Sequence, residues 1–125
     1  MATLGQRVLL ADDHAVFAEA LAKLLQSRFE IVDVVANGRA LCESTRKHEP
    51  DVMITCINGG FNNLSHWEAA ELAGRVKPKL AIPCHYDMFA DNKIDPGQFR
   101  SAMAMQGVKV GYHELTHGKP FVFSR

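Results

Sequence analysis

The sequence has few cysteines and no pattern that would pair them. Cys42, Cys56 and Cys84 are odd in number and widely spaced, and no C-x-x-C pair occurs. Small secreted domains that depend on disulfides use even sets of cysteines, so this usage indicates reduced thiols. We expect no disulfide and a cytoplasmic location.

Long apolar runs and an excess of one charge are also absent. No stretch approaches the ~20 apolar residues that span a bilayer, and residues 1–6 lack the profile of a signal peptide. The chain has 14 basic and 14 acidic residues, with both signs interleaved. This balance provides no electrostatic surface for nucleic acid or an anionic membrane. We predict no nucleic-acid or membrane partner and identify no other.

What is present fits one compact domain: 125 residues, of which 47% are hydrophobic. Strands are predicted at residues 7–11, 30–35, 51–57, 79–83 and 108–115, with helical spacing between them. This alternation predicts an α/β fold with three αβα layers and a flavodoxin-like parallel sheet of order 2-1-3-4-5. Residues 121–123 are predicted to add an antiparallel edge strand, where Pro120 is tolerated.

Two helix boundaries carry clear local signals. Ser65-His66-Trp67-Glu68 has the capping-box pattern, in which the serine and the glutamate satisfy each other's free backbone amides. Asn37-Gly38 predicts the start of an earlier helix, and Pro50 predicts its end.

Paired acids follow the first strand. Arg7-Val-Leu-Leu-Ala-Asp-Asp-His14, an amphipathic helix and Glu49-Pro-Asp-Val-Met-Ile-Thr55 together resemble the receiver domain of two-component response regulators. The resemblance covers roughly residues 1–55. It implies that Asp12 and Asp13 correspond to the acids that help to hold Mg²⁺ in that family, where an aspartate at the end of strand 3 accepts the phosphoryl group.

The phosphorylation machinery of that family is missing. Cys56 replaces the phosphoacceptor, and a thiol cannot form the acyl phosphate. Mg²⁺ prefers oxygen ligands, so the loss of this carboxylate also weakens a magnesium site. The family's hydroxyl and lysine positions hold Pro83-Cys84-His85 and Tyr112-His113 instead. We expect no phosphorelay activity and interpret Asp12 and Asp13 as an inherited acid pair.

From about Cys56 the sequence changes family. Cys56-Ile-Asn-Gly-Gly-Phe61, Asn63-Leu-Ser-His-Trp-Glu-Ala-Ala-Glu-Leu72 and Ala81-Ile-Pro-Cys-His-Tyr-Asp-Met-Phe89 resemble the C-terminal half of metallo-β-lactamase-fold hydrolases, near the ascorbate-6-phosphate lactonase branch. A histidine that ends this strand is a metal ligand in that superfamily, which implies the same role for His85. The superfamily's principal metal motif, His-x-His-x-Asp-His, does not occur in this sequence.

Together the resemblances predict a chimera of a receiver segment (about 1–55) and a hydrolase segment (about 56–125). The change of family falls near residues 52–57, inside strand 3. Both segments supply βα units, so we expect one domain over residues 1–125. Such splicing suggests an engineered protein, and surface that the splice exposes predicts a homodimer.

A mixed-ligand Zn²⁺ site is conceivable at the carboxyl ends of the strands, from His85, Cys84, Cys56 and Asp12. No close-spaced ligand pair supports it, so we expect neither zinc nor magnesium, no other cofactor and no catalytic residue. Cys56 is interpreted as a packing residue rather than a nucleophile. Asn58-Gly59-Gly60 is interpreted as a turn rather than a phosphate loop.

Three functions therefore remain open. The preferred interpretation is an engineered chimeric fold with no evolved activity, and hence not an enzyme. The second is a degenerate receiver that acts as a protein-binding module. The third is a remnant of a metal-dependent, lactonase-like hydrolase, which requires tightly bound metal.

Overall fold

The computed structural model describes residues 6–60, 62–87 and 89–124. The chain divides into two compact units, Met1–Pro50 and Asp51–Arg125. This boundary lies next to residues 52–57, where the sequence predicts the change of family, and the single-domain organisation stays a prediction. None of the helices among the described residues is long and apolar enough to cross a membrane.

The first unit consists of two β-α repeats. Strand β1 (Gln6–Ala11) precedes helix α1 (Ala15–Leu25), and β2 (Phe29–Val35) precedes α2 (Gly38–His48). β1 and β2 pair in parallel, with one register irregularity midway along the ladder. Parallel neighbours need a long crossover connection, and α1 supplies it.

Helix α2 begins and ends where the sequence predicts. The Asn37 side chain accepts a hydrogen bond of 2.9 Å from the backbone N–H of Ala40 and so caps the first turn. At the other end, Glu49 adopts a left-handed backbone with φ of 47° and donates its N–H to the Thr45 carbonyl. Pro50 follows at once and cannot continue the helix.

The described residues of the second unit form three parallel strands and two α-helices. Its elements are β3 (Val52–Cys56), α3 (His66–Val76), β4 (Leu80–Cys84), a 3-10 turn (Ala90–Asn92), α4 (Gly97–Met105) and β5 (Gly111–Tyr112). β4 pairs in parallel with β3 on one side and with β5 on the other. The carboxyl ends of β3 and β4 therefore lie at one edge of the sheet, where ligand sites of α/β proteins gather.

Helix α3 has the predicted capping box. The Ser65 hydroxyl accepts from the Glu68 N–H at 3.2 Å, and the Glu68 carboxylate accepts from the Ser65 N–H at 3.1 Å. The hydrogen bond from the Ser65 backbone N–H is the main cause that holds the pKa of the Glu68 carboxyl below its usual value, and the Ser65 side chain adds to it. The pair satisfies two of the amides that a helix N-terminus leaves free.

The core of the second unit is built around Phe99 of α4, which is fully buried. Its ring centroid lies 6.2 Å from that of Tyr112 in β5. Most of the other buried side chains are small, which allows the helices and the sheet to pack closely. The buried cluster comprises Ile57, Ala69, Ala70, Ala73, Ala81, Phe99, Ala102 and Met103.

The predicted α/β class with parallel strands is confirmed, and it is consistent with a three-layer arrangement. The strand neighbours agree with the predicted order within each ladder. The described residues form two sheets, one of β1 and β2 and one of β3, β4 and β5. The single sheet of order 2-1-3-4-5 therefore stays a prediction.

The predicted antiparallel edge strand at residues 121–123 is wrong. The backbone there is irregular, and β5 covers only Gly111–Tyr112 instead of residues 108–115. So short a strand offers few free backbone groups to a further strand, and Pro120 lacks a donor. Phe121 instead stacks on His113, with ring centroids 3.9 Å apart.

Candidate functional site

His85 is the first residue after β4 and is exposed at the carboxyl edge of its sheet. Its backbone is left-handed, with φ of 55°. Among the other described non-glycine residues in this conformation, Glu49 and Lys77 end helices and Asn62 lies in a turn. A left-handed backbone costs roughly 1–2 kcal/mol for a residue with a Cβ. Since no helix end accounts for it at His85, this strained position is a candidate for function.

Cys56 and Cys84 are the last residues of β3 and β4, and they are direct partners in the parallel ladder. Ladder partners point their side chains to the same face, so the two thiols are neighbours. Both residues are half-buried. Burial, and secondarily the nearby Cys56, raises the pKa of the Cys84 thiol to about 11. Cys84 is therefore mainly a neutral thiol near pH 7.

The glycine-rich segment after β3 forms a closed turn, as the sequence predicts. The Asn63 side-chain amide donates to the Asn58 side-chain oxygen at 3.1 Å. Gly60 lies so close to Asn92 that a Cβ at this position would overlap the asparagine amide. The Nδ2 atom of Asn92 is buried and has no hydrogen-bond partner among the described residues. The loop that follows β3 is thus packed tightly against the 3-10 turn that follows β4.

Polar side chains also lie beyond β4 and β5. His117 Nε2 is 3.2 Å from Asp87 Oδ2, and the Tyr112 hydroxyl donates to Glu114 Oε2 at 3.1 Å. Burial is the main cause that raises the pKa of both Tyr86 and Tyr112, and the negative charge of Glu114 adds to it. Both tyrosines therefore stay protonated near neutral pH, and the proton of the Tyr112 hydroxyl is engaged by Glu114.

One group of three potential metal ligands is found among the described residues, and it belongs to the first unit. His14 Nδ1 lies 3.0 Å from Asp12 Oδ1 and 2.9 Å from Asp13 Oδ1. We call these three residues the Asp-Asp-His trio. The side chains of Asp13 and His14 are 79% exposed, so the trio is a solvated cluster of polar side chains before α1. The sequence predicts both acids as candidates, whereas His14 was not predicted as a ligand although it follows them directly.

The structure groups the four candidate zinc ligands in two places. Cys56 and Cys84 are neighbours and His85 follows them, whereas Asp12 belongs to the trio of the first unit. Within the described part of the second unit, no three ligand atoms lie within 4.8 Å of one another. The donor set of this unit therefore does not form a complete metal centre by itself. Metal binding by any of the four residues stays a prediction.

Known proteins similar to this chain include two curated relatives. A UPF0173 metal-dependent hydrolase of Archaeoglobus fulgidus is 36% identical over 78 residues, which is 62% of this chain and 33% of the relative. A UPF0173 metal-dependent hydrolase of Anaeromyxobacter sp. strain K is 36% identical over 73 residues, which is 58% of this chain and 25% of the relative. The chain thus spans about a third or less of these relatives. No family model matches it.

A solved structure shows a similar fold. Igni18, described as a novel metallo hydrolase from the hyperthermophilic archaeon Ignicoccus hospitalis, aligns with a TM-score of 0.55 and 21% sequence identity. The alignment covers 61% of this chain and 32% of Igni18. At this level of identity the likeness concerns the fold alone.

These comparisons correct two expectations from the sequence. The relatives are named metal-dependent hydrolases, so the expectations of a protein that is not an enzyme and needs no metal cofactor are wrong. The interpretation as an engineered fold without evolved activity gains no support from them. The receiver resemblance of the first half gains none either and stays an interpretation. What the comparisons do support is the resemblance of the second half to metal-dependent hydrolases.

Proposed function

We propose that the chain is part of a metal-dependent hydrolase and that His85 supplies one metal ligand. The observation that carries the proposal is the placement of this imidazole, exposed on a left-handed backbone directly after β4. A strained, solvent-accessible histidine at the carboxyl edge of a parallel sheet suits a ligand better than a packing residue. The similarity to metal-dependent hydrolases supports the same role.

The described residues of the second unit do not present a complete metal centre around His85. They bring no further ligand atoms together with His85 in a group of three. Catalytic zinc sites use three protein ligands and keep one position open, so a single histidine is insufficient. We therefore propose His85 as one of several ligands of the metal, with the other ligands supplied by other residues.

We further propose a cyclic ester as the substrate class. The string Ala81-Ile-Pro-Cys-His-Tyr-Asp-Met-Phe89 resembles the lactonase branch of metallo-β-lactamase-fold hydrolases. Tyr86 keeps its proton, because burial raises its pKa. A neutral phenol can donate a hydrogen bond to the oxygen of an ester and so help to orient it.

The proposal is tested by Zn²⁺ titration in a His14→Ala background, which removes the only imidazole of the trio. We expect this variant to bind zinc, and we expect the further change His85→Ala to weaken that binding by about 100-fold or more. Even a residue that merely orients a ligand is worth about 10–100-fold in metal affinity. Isothermal calorimetry and the metal content after dialysis provide the readouts.

His117→Ala is the matched control, since this imidazole is also exposed but is paired with Asp87. It should leave zinc affinity unchanged. Equal affinity with and without His85 would overturn the proposed ligand. Hydrolysis of a lactone panel by the zinc-loaded protein tests the substrate class separately, and turnover that survives His85→Ala would contradict the proposed site.

A further inference from the structure

Cys56 and Cys84 are placed for a covalent bond that neither resemblance explains. They are partners at the last position of the β3–β4 ladder. Neighbouring strands lie about 4.8 Å apart. Disulfides bridge Cα atoms that are about 4.4–6.8 Å apart, so the ladder already sets a suitable spacing.

The two thiols also share one face of the sheet, and both are only half-buried. Side chains alternate between the two faces of a strand. Met53 packs against the buried cluster, whereas Ile54 is 65% exposed, and Cys56 lies on the same face as Ile54. Cys84 points to this face too, as the ladder partner of Cys56. Neither cysteine is fully buried, so a small oxidant can reach the pair.

We propose that Cys56 and Cys84 form a dithiol that closes to an intramolecular disulfide when the protein meets a low-molecular-weight disulfide such as oxidised glutathione. One cysteine attacks the glutathione disulfide, forms a mixed disulfide and releases one glutathione thiol. The second cysteine then attacks the protein sulfur of this mixed disulfide and releases the second glutathione. The protein loses two electrons and two protons, and the oxidant gains them.

The bond would fasten the ends of two strands to each other. β3 continues into the turn that contains Gly60, and β4 continues into the loop that begins at His85. A cross-link between them reduces the conformational freedom of the unfolded chain. We expect the oxidised protein to unfold at a higher denaturant concentration than the reduced protein. This inference stands independently of metal binding by His85.

The test uses the full chain equilibrated in glutathione buffers of increasing oxidised fraction. Intact-mass spectrometry after acid quenching should show the loss of two hydrogens without added glutathione. Proteolytic mapping of the wild-type protein should then connect the peptides of Cys56 and Cys84. This mapping needs no substitution and therefore does not depend on the folding of a variant.

The third cysteine provides a matched control, because Cys42 lies in α2 of the first unit. Cys42→Ser should form the disulfide as the wild type does. Cys56→Ser and Cys84→Ser should each accumulate glutathione on the remaining cysteine of the pair instead. Wild-type protein that only gains glutathione, or that forms only disulfide-linked dimers, would overturn the proposal.

Discussion

The two units repeat the same β-α pattern but bury very different cores. Among the described residues of the first unit, the buried apolar side chains are Ala18 and Val35. In the second unit a continuous cluster surrounds Phe99. Helix α1 of the first unit instead exposes several large apolar residues: Val16, Phe17 and Leu24. Because stabilisation by apolar burial grows with buried area, most of it resides in the second unit.

The comparison extends to the candidate sites. The first unit brings three potential ligands together, but two of them are exposed and His14 is already paired with both acids. The second unit offers one strained histidine and a paired dithiol on strands that a real core supports. The potential ligands that lie closest together are thus in the first unit, whereas the core that can hold a site rigidly is in the second.

The largest effect that we predict comes from the core of the second unit. Phe99→Ala removes the fully buried ring around which the cluster packs. We expect it to lower the free energy of unfolding by about 3–5 kcal/mol, through lost burial and the cavity left behind. Urea denaturation followed by circular dichroism measures the change.

Phe17→Ala is the matched change in the first unit, where the ring is 58% exposed. It should alter the free energy of unfolding by no more than about 0.5 kcal/mol. If the two substitutions destabilised the protein equally, the contrast between the two cores would be refuted.

A smaller effect is predicted from two glycines. Gly60→Ala places a methyl group against the amide of Asn92, and we expect a cost of about 1–3 kcal/mol from this overlap. Gly38→Ala, at the start of α2, meets no atom within 4 Å and should be neutral or stabilising by up to about 1 kcal/mol. Thermal unfolding of both variants ranks them, and the opposite ranking would show that the packing of Asn92 on Gly60 is loose.

The smallest effect is a pH dependence in the first unit. The buried Ser44 hydroxyl donates to Asp33 Oδ2 at 2.6 Å, and this bond is the main cause that lowers the pKa of Asp33 below 3.8. A carboxyl with a lowered pKa stabilises the fold above its unfolded pKa and loses that contribution as the pH falls through its folded pKa. Ser44→Ala should therefore lower the melting temperature at pH 7, and the difference should shrink in acid.

The control for this titration is Ser27→Ala, because the Ser27 hydroxyl donates to the Leu24 carbonyl and not to a carboxylate. Its effect on the melting temperature should not vary with pH. A Ser44→Ala difference that stayed constant down to strongly acidic pH would exclude the bond to Asp33 as the source of the lowered pKa.

Features fixed by a few adjacent residues could be predicted from the sequence. The capping box of α3 depends on Ser65 and Glu68 alone, and it forms as expected. The strand at residues 121–123 was predicted from its apolar pattern, but a strand also needs a partner. The two-residue β5 provides little free edge for one.

In the candidate site, too, local features could be predicted from the sequence and contacts between distant segments could not. The strand pattern places Cys56 and Cys84 at strand ends, but only the alignment of β3 with β4 makes them direct partners. The contact between Gly60 and Asn92 joins two loops and leaves no trace in local sequence. The left-handed backbone of His85 was also missed, because glycine and asparagine are the residues that usually signal it.

At His85 the residue that would be most stable differs from the residue that can bind a metal. Glycine would adopt φ of 55° with no steric cost, whereas histidine pays for its Cβ there. A redesign guided by thermal stability alone would therefore favour replacing this residue and would remove the imidazole. Any library meant to retain metal chemistry in this fold should hold residue 85 fixed and look for added stability elsewhere.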